Sequence, residues 1–190
     1  MRIHSAVIAM LLCIAGGCSR EVPRAPELAT AATIKDLMDA MIDPSADYLF
    51  ENIVEIVDEK GIIDKTPKND DEWAEVRRRA VLLVEAPNLL VTPGRKVARP
   101  GEKAEYPAVE LGPEQIQTLI DNDRDAFVRR ARRLQDAATL ALKAIDARDK
   151  KELFSKLGDV DKACESCHLH YWYPNDKRAR EAAREEGVVD

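Results

Sequence analysis

Aromatic side chains are scarce in this chain, 5% of 190 residues against 34% charged. That balance fits solvated helices better than a β-sandwich. A basic excess is also missing: 29 Lys and Arg stand against 35 Asp and Glu, a net charge of −6. Nucleic-acid binders carry a basic footprint, so that class is excluded. There is no apolar run of membrane-spanning length. The longest, Ala6 to Ala15, has ten residues, where a spanning helix needs about 20. No internal repeat is visible, and no serine or cysteine nucleophile sits beside a plausible base, so an enzyme is not expected.

What is present begins with an export pattern. A short basic start (Met1, Arg2, His4) precedes the apolar stretch and then Gly16, Gly17 and Cys18. This is the layout of a secretory signal peptide over residues 1–17. Ala15-Gly16-Gly17-Cys18 also matches a bacterial lipobox, in which Cys18 becomes the lipidated first residue of the mature chain. Cys13, behind bulky Leu11 and Leu12, is a poorer candidate. The alternative is cleavage near Gly17 with Cys18 left unmodified. A lipid anchor of more than one acyl chain holds a protein stably at a membrane. The expected location is therefore periplasmic, and Ser19 points to the outer membrane by the sorting rule of known families. Processing removes Arg2 and leaves 28 basic against 35 acidic residues, a net −7.

Residues 18–30, polar with two prolines, suit a flexible tether. A helical pattern begins near Ala31, with Ile34, Leu37, Met38, Met41 and Ile42 at three-and-four spacing. Pro44 interrupts it and predicts either a kink or a fresh start capped by Asp43. The pattern then resumes through Tyr48, Leu49, Ile53, Ile56 and Val57 to Gly61. Further helices are predicted over Asp70–Leu90, from Pro113 to Ile145 with a break around Asp121–Asp123, and from about Lys150 to Tyr171. Thr92–Gly112 reads as a long surface loop and Asn175–Asp190 as a frayed polar tail. Four amphipathic helices over residues 31–174 make an all-α, antiparallel four-helix bundle the expected architecture.

The last of those helices carries the chemistry. Residues 164–168 read Cys-Glu-Ser-Cys-His, the attachment motif of a c-type haem. At about 100° per residue, Cys164 and Cys167 lie about 60° apart and His168 about 40° from Cys164. Two thiols and an imidazole therefore share one face. Leu153, Leu157, Val160 and Tyr171 extend that face as a core-facing stripe. A zinc site would need Cys164, Cys167, His168 and His170 to surround one ion from a single helix, which tetrahedral geometry disfavours. A dithiol redox site lacks its βαβ setting, and a disulfide would close only a four-residue helical loop.

Few groups remain for the opposite axial position. The mature chain keeps two histidines, His168 and His170, about 200° apart on the helix, so His170 cannot reach the same haem from the other side. It also keeps two methionines, Met38 and Met41, on the apolar face of the first helix. A thioether ligand raises a haem's potential and favours electron transfer. The same two side chains could equally be core filling. Lys35, Arg95 and the runs Arg77–Arg79 and Arg129–Arg130 are candidates to pair with a propionate. The runs read otherwise as solvated faces. Trp73, Tyr171, Trp172 and Tyr173 either stack near the haem or fill space.

An exported four-helix domain with Cys-x-x-Cys-His near its C-terminal end resembles the cytochrome c-prime class, the class II cytochromes c. The likeness spans most of Ile34–Tyr173 and is anchored on Cys164, Cys167 and His168. Leu37-Met38, Asp43-Pro44 and CESCHLHYWYP further resemble a proteobacterial branch of cytochrome c-like lipoproteins. Two features depart from the class: Pro44 within the first helix and the length of the Thr92–Gly112 loop. The resemblance implies one covalent haem c and, in low-spin members, a sixth ligand from a first-helix methionine. Met38 fits that role best and Met41 next. It implies single-electron transfer with redox partner proteins of the cell envelope, and homodimers are common in the class. The alternative it carries is a five-coordinate protein that binds NO or CO.

Overall fold

Helix starts are set by capping side chains. The computed structural model describes residues 28–58 and 61–188. The expected signal peptide, Cys18 and most of the tether therefore lie outside the described residues. The Thr33 hydroxyl accepts from the Asp36 N–H at 3.1 Å, and the Asp36 carboxylate accepts from the Thr33 N–H at 2.9 Å. This reciprocal box opens α1 (Ile34–Leu37). Asn69 caps α3 (Asp70–Leu90), accepting from the Glu72 N–H at 3.0 Å. Asp123 separates α4 (Pro113–Asn122) from α5 (Arg124–Asp146), which it caps through the Ala126 N–H. Asp149 does the same for α6 (Lys150–Tyr171) through the Glu152 N–H. Each such cap is worth about 1 kcal/mol.

Pro44 falls in the first turn of a new α-helical segment, as one expectation had it, but Asp43 is not the cap and the chain does not leave the helix. Instead α1 runs straight into a π-helical turn, Met38–Ile42, and on into α2 (Asp43–Asn52). The Asp43 N–H donates to the Met38 carbonyl, five residues back. In an α-helix the Pro44 ring would strike the carbonyl four residues before it, and the wider turn relieves that clash. Asp43 thus joins the helix and caps nothing with its side chain.

Two further expectations are corrected. The helix predicted to continue to Gly61 stops at Asn52, and β1 (Glu55–Asp58) pairs antiparallel with β2 (Gly61–Asp64), Glu55 opposite Asp64 and Asp58 opposite Gly61. The β-branched run Ile53, Val54, Ile56, Val57, Ile62 and Ile63 favours this pairing. The C-terminal tail is not frayed throughout. It forms α7 (Lys177–Glu185), capped by Asp176, and Ala183 and Val188 pack on Leu169 in a small second cluster.

Apart from the hairpin the fold is all-α. α2 packs on α3, α3 on α5, and α5 on α6. Leu49, Leu83, Leu153 and Val160 are fully buried between them, each side chain contributing about 1.5–3 kcal/mol. The chain reverses between α5 and α6 through a Schellman turn. The Asp149 N–H reaches the Ala144 carbonyl, the Arg148 N–H reaches that of Ile145, and Arg148 sits at φ +53°.

The Thr92–Gly112 segment is pinned at both ends. The Lys96 and Val97 carbonyls accept from the Ile34 and Lys35 N–H groups at 2.8 and 2.9 Å, filling donors that the start of α1 leaves open. Buried Arg95 donates to the Leu89 and Ala32 carbonyls. The Leu111 N–H donates to the Trp172 carbonyl. No helix among the described residues is long and apolar enough to cross a membrane.

Candidate functional site

α2 and α6 face each other across a gap instead of packing closely. The gap is a partly open pocket with a cavity volume of about 180 Å³. Each surrounding helix offers it one stripe at helical spacing: Asp43, Ala46, Asp47 and Phe50 from α2, and Phe127, Arg130, Ala131 and Leu134 from α5. Ala46 and Ala131 are small where a closed core would carry larger side chains, and that leaves the room. α6 contributes Cys164, Cys167 and His168. From the π turn come Met38 and Ile42.

Met38 and the Cys-x-x-Cys-His face are therefore brought to one cavity. Met41 is not: it packs against the core and does not line the pocket. His170 is also elsewhere, exposed and edge-on to the Tyr171 ring at 4.6 Å. Among the described residues no three His, Cys, Asp or Glu side chains converge to hold an ion by themselves. The four groups weighed for zinc thus do not close on one point.

Met38, Asp43 and His168 also border an adjoining cavity with Lys35, Glu105, Trp172 and Tyr173. The Tyr173 hydroxyl donates to Glu165 at 2.7 Å, and its ring lies 5.8 Å from that of His168. Trp73 is in the core of α3 and Tyr171 stacks edge-on to Phe127 at 5.5 Å, so both fill space away from the pocket mouth. Among the cations, Arg130 lines the main pocket and Lys35 the adjoining one. Arg95 is occupied by backbone carbonyls. The first two border cavities beside the Cys-x-x-Cys-His face, Lys35 paired there with Asp39; Arg95 does not.

Burial dominates the electrostatics. It pushes the Cys164 thiol up to about 12, helped by Cys167 beside it, and the Cys167 thiol up to about 11. Neither is a preformed thiolate, whereas dithiol exchange sites lower the pKa of the attacking sulfur. The pair is unbridged. Burial holds the His168 imidazole below its usual value, with Asp43 acting against it, and raises the Asp43 carboxyl in turn. A neutral imidazole is the form that ligates a metal.

The sequence singles out the α6 motif and Met38, which line this pocket, but not the two lining stripes on α2 and α5 as parts of a site. Their signal was the alanines at positions where the apolar periodicity calls for bulk. Comparison with protein-family models, curated proteins and solved structures found no match for this chain.

Proposed function

We propose that the chain is an exported c-type cytochrome, an antiparallel four-helix bundle carrying one covalent haem c for single-electron transfer at the bacterial cell envelope. The observation that supports it most is that Met38 and the Cys164–Cys167–His168 face line the same pocket from opposite helices. The residues fit the group: two thiols and an imidazole on one wall, a thioether on another, apolar walls between, and Arg130 at hand for a carboxylate. Cys164 and Cys167 would each be joined to the haem by a thioether, sulfur adding to one vinyl carbon and hydrogen to the other, so attachment would consume no oxidant. His168 and Met38 would be the side chains that hold the iron. The bound haem supplies a one-electron couple, and thioether ligation raises its potential. α2, α5 and α6 would shield a ring held in the pocket from water. Cys18, lipidated, tethers the domain to the membrane, outer by the sorting rule, within reach of redox partner proteins.

Covalent attachment is tested by maturing the full chain in a cytochrome c-competent host and weighing it after denaturation. The expected result is the mass of one haem retained by the wild type and lost in Cys164→Ser/Cys167→Ser. A wild-type chain that releases or never acquires haem would overturn the reading.

A further inference from the structure

The π turn is an unusual way to pass a proline, and it changes which side chain enters the pocket. The α2 stripe Asp43, Ala46 and Asp47 faces the cavity. Continued toward the N-terminus as an α-helix, at about 100° per residue, position 39 would stand about 40°, 20° and 80° from Asp43, Ala46 and Asp47. Met38 would stand about 140° from Asp43. In the structure the Asp43 N–H closes on the Met38 carbonyl, so Met38 lies one wide turn beneath Asp43 and both line the pocket. Asp39 does not line that pocket: its side chain is 57% exposed, borders the adjoining cavity and pairs with Lys35 at 3.2 Å. Rows of π-type bonding inside helices often mark functional positions.

We infer that Pro44 is a positioning residue: by holding the Met38–Ile42 turn in π form, it aims the Met38 thioether, rather than position 39, into the pocket. Both flanks of the turn are anchored. The Thr33 cap and the Lys96 and Val97 carbonyls fix α1, and Leu49 and Ala46 bury α2. The register between them therefore rests on the turn itself. The inference builds on the proposed Met38 ligation, and its test separates the two.

The test uses haem-loaded full-length protein, read by the reduced visible spectrum with and without CO and by the reduction potential. Met38→Ala opens the iron to CO and lowers the potential. If it does nothing, the ligation reading fails and the inference with it. Given that effect, Pro44→Ala alone should reproduce it. Adding Asp39→Met to Met38→Ala should leave the site open while Pro44 is present, and close it again when Pro44→Ala is also made. The inference is overturned, with ligation intact, if Pro44→Ala keeps the wild-type spectrum and potential. It is equally overturned if Met38→Ala/Asp39→Met is closed to CO with Pro44 still in place. The second comparison stands even if Pro44→Ala alone does not fold.

Discussion

Ala131→Leu sets the pocket against the core. Ala131 is buried on α5 and lines the cavity opposite the α6 motif. In a chain that holds no haem, three added carbons fill empty space. At about 0.8 kcal/mol per buried carbon the gain is at most ~2.4 kcal/mol. Fixing the leucine rotamer costs about 0.5–1 kcal/mol, leaving about 1.5 kcal/mol. For a domain of this size that is a rise of roughly 3–6 °C in Tm. The assay is thermal unfolding by circular dichroism of the full chain expressed without haem maturation. The companion measurement is the yield of covalent haem in a maturing host, which should drop several-fold because the leucine occupies space the ring needs. The variant trades function for stability, as pocket-filling changes commonly do. A less stable haem-free protein whose haem yield is unchanged would show that the cavity is not the haem site.

Three further outcomes follow from particular residues. Met41→Ala should leave the spectrum and potential of the loaded protein as they are, since Met41 lies off the pocket; a shift like that of Met38→Ala would reassign the ligand. Tyr171→Phe removes a buried hydroxyl that has no hydrogen-bond partner and should stabilise by about 1 kcal/mol in urea unfolding; a loss of stability would reveal a partner. Burial pushes the Tyr171 phenol up to about 12, so the unfolded chain releases that proton first, near pH 10. Wild-type stability should then fall as pH rises from about 10 to 12, and Tyr171→Phe should make that limb shallower, the Tyr173 phenol, also raised by burial, keeping the rest. Arg148→Gly relieves a left-handed residue at φ +53°, worth about 1 kcal/mol. It gives up only an exposed ion pair with Asp70, so the urea midpoint should rise; a fall would mean that the ion pair outweighs the backbone term.

Much of this was legible because local chemistry and tertiary demand agree. Asn69 with its acidic first turn, Pro113, Asp123 and Asp149 mark helix starts that the structure keeps within a residue. The stripe from Leu153 to Tyr171 lies inward along α6. Where local signals conflict, reading failed. Ile53–Val57 satisfies helical spacing and strand propensity at once, and pairing with Gly61–Asp64 decided it. Pro44 announces a disturbance but not its form, because a π turn is fixed by how both flanks are anchored. The terminal helix was hidden by its charge: Ala183 and Val188 are its few apolar anchors, and they matter only once Leu169 is in place. The pocket stripes on α2 and α5 carried only a faint signal, because a cavity is written in small residues and Ala46 and Ala131 are also ordinary helix formers.

The most direct test of the central claim is the visible spectrum of the matured, reduced protein before and after adding CO. The account predicts a sharp low-spin spectrum that CO leaves unchanged, with the iron held between His168 and Met38. A broad high-spin spectrum that shifts with CO would contradict it, and would mean an open sixth position and a protein built to bind small gases.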